Sequence, residues 1–136
     1  MDVEKRNPSV LTGWAIVVED YAPLRMLLVE SLTEIGLHSL DFETADAALI
    51  LLMEAHSGCP LVIADQGPPG RLQGAAFIEM VKARWPATSA ILTSGFELDP
   101  ATVPSSAIYL QKPYSIDALV NAVESCLQQD GSGIKI

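Results

Sequence analysis

Four polar groups in this chain stand directly after short apolar runs: Glu19-Asp20 after Ala15-Ile16-Val17-Val18, Asp65 after Leu61-Val62-Ile63-Ala64, Ser94-Gly95 after Ala90-Ile91-Leu92-Thr93, and Lys112-Pro113 after Ile108-Tyr109-Leu110-Gln111. Brought to one point, three carboxylates, a hydroxyl and an ammonium have a definite chemistry. Clustered carboxylates hold a hard divalent cation such as Mg2+. A carboxylate beside that cation is a competent nucleophile towards a phosphoryl group, because the charge on the transferring phosphate is neutralised. An ammonium and a hydroxyl can each serve a phosphoryl oxygen. Taken singly, each group has a plainer reading. Glu19-Asp20 reads as an acid pair at a helix start, Lys112 as a solvated surface cation and Ser94 as a turn hydroxyl. Only their coincidence carries information, and it requires four parallel neighbouring strands.

The elements that would position them can be read in turn. The run Leu61 to Ala64 is rich in strand formers, and Gln66-Gly67-Pro68-Pro69-Gly70 can continue neither strand nor helix. Asp65 therefore stands at a strand's C-terminal end, the rim where open parallel α/β sheets bind ligands. A first strand, 14–18, shows no alternation, as expected when both faces are covered. Pro23 opens a helix in which Leu24, Leu27, Leu28, Ser31, Leu32 and Ile35 recur at three- and four-residue steps until Gly36. Leu37 to Phe42, interrupted by His38, Ser39 and Asp41, is a weaker strand nearer a sheet edge. Thr44 caps a second helix running to Ala55. Phe77, Ile78, Met80, Val81 and Trp85 mark a third, from Gly74 to Trp85, which Pro86 ends. After a strand at 90–94, the segment 98–106 carries Pro100 and Pro104. A helix-interior proline costs about 3 kcal/mol, so at most about one turn should form there. Ser115 caps a last helix with Ile116, Leu119, Val120, Val123 and Leu127 on one stripe. This alternation predicts an α/β fold, a doubly wound five-stranded parallel sheet with helices on both faces. One domain spans 14–128, between a loose leader (1–13) and a tail (129–136).

Composition excludes several functions. Eight basic against seventeen acidic residues in 136 give a net charge of −9, which disfavours nucleic acid as a partner. The longest apolar run, Ala47 to Met53, is far shorter than the ~18 residues of a membrane span, and no signal core follows the N-terminus. A cytoplasmic protein without membrane contact is expected. Cys59 and Cys126 lack metal-ligand spacing and read as reduced thiols. His38 and His56 have no ligand-spaced companion and receive no role.

In order and position, Glu19-Asp20, Asp65 with its Pro69-Gly70 turn, Ser94 and Lys112-Pro113-Tyr114 resemble the active site of the response-regulator receiver domain of two-component signalling, over about residues 14–128. The resemblance implies a flavodoxin-like (βα)5 three-layer sandwich, here with a short or irregular fourth helix. It implies that Asp65 accepts a phosphoryl group from a histidine kinase or histidine phosphotransfer protein. Mg2+ would be held by Asp20, Asp65 and the Gly67 carbonyl, with Glu19 acting largely through water. Lys112 and Ser94 would contact phosphoryl oxygens, and Ser94 with Tyr109 would form the switch. Gly67 and Phe96 would flank the approach of water to the phosphorus. Packing is an equally plain reading for Tyr109. With fewer than ten residues after the last helix, a stand-alone signalling protein is expected. It would act on a downstream protein target, with a homodimer compatible, and would catalyse only its own phosphorylation and dephosphorylation.

Two departures stand out. Gln73 precedes Gly74 where many members have an acid, a change expected to lie away from the phosphate. The segment 98–106 replaces a helix that commonly serves output and dimerisation. Two other functions compete. An aspartyl-phosphate phosphohydrolase needs a second acid two residues after the nucleophile, where this chain has Gly67. A receiver-like binding module that is never phosphorylated has no need of the intact acid pair, Ser94 and Lys112.

Overall fold

Strand β1 (Trp14–Val18) lies between β2 (His38–Phe42) and β3 (Leu61–Asp65), and β3 in turn pairs with β4 (Ser89–Ser94) and β4 with β5 (Ala107–Gln111). The computed structural model describes residues 13–67 and 71–129, so the expected leader before Gly13 and the tail after Gln129 lie outside it. All four pairings are parallel, giving the sheet order β2-β1-β3-β4-β5. The unbroken apolar runs of β1, β3 and β4 are buried because both faces are covered. Alternate residues serve opposite layers. Ala15, Val17, Ile63 and Ile91 pack under α1 (Ala22–Glu34) and α4 (Ile116–Gln129). Ile16, Val62, Ala90 and Leu92 pack under α2 (Ala45–Ala55) and α3 (Gly74–Arg84). Among the described residues, five strands and four α-helices thus form the three-layer parallel α/β sandwich that the alternation predicts.

The caps follow the sequence. Thr44 Oγ1 accepts from Ala47 N–H at 3.2 Å, and Ser115 Oγ accepts from Ala118 N–H at 3.0 Å. Between β4 and β5 the chain forms no α-helix, only a 3-10 turn over Pro100–Thr102 with Asp99 as its cap, as the two prolines require. The helical stripes are narrower than their periodicity suggests. Leu28, Ser31 and Leu32 are buried, whereas Leu27, Met80 and Ile116 stand largely in solvent. Among the described residues no helix is long and apolar enough to cross a membrane.

Cys59 and Cys126 are both buried. Burial pushes the Cys59 thiol up to about 12, against a hydrogen bond donated to the Leu61 carbonyl. Below the ordinary value of 9.0 both the folded and the unfolded thiol are neutral, so its contribution to stability is fully present. Above 9.0 the unfolded thiol ionises while the folded one stays protonated, and stability is lost until about 12. The expected result is a steeper alkaline loss of stability for the wild type than for Cys59→Ala. Denaturant titrations on either side of pH 9.0 check it, and equal slopes would refute it.

Candidate functional site

Strands β1 and β3 deliver their acids to the same edge of the sheet. The Glu19 backbone N–H extends the β1–β2 ladder to the Phe42 carbonyl at 3.0 Å, which fixes where its side chain departs. That side chain is 1% exposed, with Oε2 accepting from Tyr21 N–H at 3.0 Å and Oε1 lying 2.9 Å from Lys112 Nζ. Arg25 ties this corner together, donating from Nη1 to the Glu19 carbonyl at 2.8 Å and pairing through Nε with Asp41 at 3.2 Å. Asp65 closes β3, and its Oδ1 stands 3.0 Å from the same Lys112 ammonium. Lys112 is brought in by β5, whose exit is fixed by a bond from Lys112 N–H to the Ser94 carbonyl at 2.7 Å.

Glu19 and Lys112 are therefore neither an ordinary helix-start acid nor a solvated cation. Burial pushes the Glu19 carboxyl up, the Asp65 charge adds to this, and Lys112 with the Tyr21 N–H opposes it. Burial would draw Lys112 down, but its two carboxylate partners outweigh it and hold the ammonium above its ordinary value. Desolvation weighs more on the acid because the lysine side chain is 23% exposed. Tyr114, beside them, has a buried hydroxyl with no hydrogen-bond partner among the described residues. Burial and the nearby Glu19 and Asp65 charges push its phenol up to about 12, so it stays neutral.

Glu19, Asp20 and Asp65 each present an oxygen within 4.8 Å of the others. An all-oxygen anionic set fits a hard divalent cation better than the nitrogen and sulfur sets that zinc favours. Gly67, the other expected contributor, lines the same cleft as Asp20 and Asp65.

At the polar end of β4 the hydroxyls bond to nearby groups. Ser94 is fully buried, but its hydroxyl donates to the Phe96 carbonyl at 2.6 Å and accepts from the Phe96 N–H at 3.1 Å. The Tyr109 hydroxyl donates to that same carbonyl at 3.1 Å. The hydroxyl that faces Asp65 is that of Thr93, through a long contact of 3.4 Å to Oδ1. The Phe96 ring keeps 52% of its surface exposed. The Pro69-Gly70 turn lies outside the described residues.

Gln73 corrects an expectation. It does not lie apart from the site, because its Nε2 donates to the Gly67 carbonyl at 3.1 Å. Gln66, Thr93 and Arg25 were not recognised in the sequence at all. Gln66 had one usable signal, a polar side chain directly after a buried strand, which the turn reading of 66–70 absorbed.

Helix α3 comes close to Asp65. A Cβ on Gly74 would lie 2.6 Å from the Asp65 carbonyl oxygen and 2.9 Å from Leu92 Cδ1, so backbone must move to admit it. Gly74→Ala is expected to cost about 1–3 kcal/mol by overpacking and to displace Asp65. Thermal unfolding checks this, and an unchanged midpoint would show that the contact relaxes freely.

A parallel α/β sheet gathers acids, a lysine and hydroxyls beyond its C-terminal edge, at the end of the adjacent central strands β1 and β3. The fold is that of response regulator receiver domains. A response regulator receiver protein from Sinorhizobium medicae WSM419 superposes with a TM-score of 0.80 at 19% identity, covering 89% of this chain and 97% of its own. The signal receiver domain of an HD domain-containing protein from Pseudomonas fluorescens Pf-5 gives 0.76 at 23% identity, over 89% and 98%. A receiver domain protein from Clostridium thermocellum gives 0.76 at 20%, over 88% and 97%. No protein-family model matches the sequence, and no curated protein does.

Proposed function

We propose that this chain is a phosphoacceptor signalling protein. Asp65 takes a phosphoryl group from a phosphohistidine on a histidine kinase or histidine phosphotransfer protein, and the signal passes on by protein contact. The histidine N–P bond breaks with its electron pair returning to the imidazole nitrogen, while an Asp65 carboxylate oxygen forms the new O–P bond. The observation that carries this reading is the Lys112 ammonium, held between Glu19 and Asp65 at the rim of a receiver-fold sheet.

Asp20, Asp65 and the Gly67 carbonyl would hold Mg2+, with Glu19 acting largely through water. The cation would supply charge neutralisation at the phosphoryl oxygens. Lys112 is a point charge on a flexible stem and can follow a phosphoryl oxygen on Asp65 while staying near Glu19. Ser94 must give up the Phe96 carbonyl to donate to another phosphoryl oxygen, and Tyr109 would then remain on that carbonyl. The net charge of −9 supports proteins over nucleic acid as partners.

Incubation with Mg2+ and a small phosphodonor, followed by intact mass measurement and peptide mapping, tests the reading. The expected result is a gain of one phosphoryl group on Asp65. A chain that stays unmodified with several donors would favour a binding module without phosphorylation.

A further inference from the structure

Two glutamines close the β3–α3 loop by exchanging duties. A helix leaves its first N–H groups without intrahelical partners, and the residue at the cap commonly supplies an acceptor. In α3 that residue is Gln73, whose side chain makes no bond to the helix. The acceptors come instead from across the loop. Gln66 Oε1 takes the Ala75 N–H at 2.8 Å, and the Gln66 carbonyl takes the Gly74 N–H at 3.1 Å. Gln66 is 5% exposed and is itself fastened to β4 by its N–H bond to the Thr93 carbonyl at 2.8 Å.

With the cap filled by Gln66, the Gln73 carboxamide turns the other way and donates to the Gly67 carbonyl. That carbonyl needs holding. Gly67 has a positive φ of 73°, and among the described residues no atom lies within 4 Å of where a Cβ would be. Glycine has the least restricted backbone of any residue, so the direction of this carbonyl depends on the hydrogen bonds made to it. A carbonyl oxygen has two lone pairs, and the bond from Gln73 occupies one, leaving the other for a cation.

We infer that Gln73 is a positioning residue for the divalent-cation site, orienting the Gly67 carbonyl towards the cleft it shares with Asp20 and Asp65. The inference rests on the proposed use of that carbonyl as a metal ligand. It assigns a role to a residue whose type departs from the acid common at this position. Partners that orient a ligand typically govern metal affinity by 10- to 100-fold. A carbonyl is the weakest donor of this set, so the lower figure is expected.

The test measures Mg2+ affinity by titration calorimetry on the full chain for wild type, Gln73→Met and Asp20→Asn, together with thermal unfolding in chelator. Methionine keeps the length of glutamine and removes the donor. About a tenfold loss of Mg2+ affinity in Gln73→Met, with the metal-free unfolding midpoint unchanged, supports the assignment. Unchanged or tighter binding overturns it, as does a loss matched by a fall in metal-free stability. Should Asp20→Asn also bind Mg2+ normally, the cation reading fails, whereas a loss in Asp20→Asn alone removes only the role of Gln73. A wild-type readout guards against misfolding of the variant. The Gln73 carboxamide resonances should shift as Mg2+ is added, and resonances that stay in place would overturn the proposal.

Discussion

Asp65→Asn is expected to abolish phosphoryl incorporation while leaving the domain folded. The amide keeps the shape of the carboxylate but lacks the anionic oxygen that must attack phosphorus. The fold should tolerate the change because it removes one of three clustered negative charges, and Lys112 keeps its 2.9 Å pairing with the buried Glu19. Unfolding should therefore occur at or above the wild-type midpoint. Intact mass after incubation with Mg2+ and a small phosphodonor gives the answer. Label retained at the wild-type level would pass the role to another carboxylate, with exposed Asp20 the first to examine.

Lys112→Ala should separate three properties that the ammonium now joins. Loss of a preorganised charge from a developing phosphoryl anion slows transfer by about 10²–10³-fold. Mg2+ affinity should not fall, because the wild-type ammonium lies 2.9 and 3.0 Å from oxygens of the very acids that would bind the cation. Metal-free stability should drop by about 3 kcal/mol, since Glu19 is left as a buried carboxyl without its counter-charge. Added Mg2+ should recover part of that loss by binding the folded state. Rates from mass measurements, calorimetric affinities and unfolding in chelator check the three separately. A fall in Mg2+ affinity as large as that of Asp20→Asn would contradict this division of labour.

The sheet, its strand ends and the irregular segment before β5 were legible because they depend on local rules. Apolar runs stopped by glycine or proline define strands, and Pro100 with Pro104 keeps any helix there to about one turn. The meeting of Glu19, Asp65 and Lys112 was legible because parallel pairing brings successive strand ends to one edge. What failed to show depends on tertiary neighbours. Nothing local told Gln73 from Gln66, since a long neutral carboxamide can cap a helix as acceptor or reach back across a loop as donor, and the choice fell to whichever backbone group lay near. Ser94 likewise gives no local sign of its partner, the Phe96 carbonyl two residues later. Leu27 and Met80 fit their helical periods but are exposed, because periodicity does not say how wide a stripe the neighbouring elements cover.

The 3-10 turn that stands between β4 and β5 has a consequence for local unfolding. Strand β5 is an edge strand with no residue fully buried, and its Ala107 and Tyr109 join the same cluster as Leu98 and Val103 of the irregular segment. With one neighbouring strand and no buried residue, its amides should exchange with solvent before those of β1 and β3, whose cores are sealed on both faces. The strand that carries Tyr109 and leads into Lys112 thereby opens more easily than the central strands, which lets a bond made or broken at the rim be felt as a change in order along a whole edge.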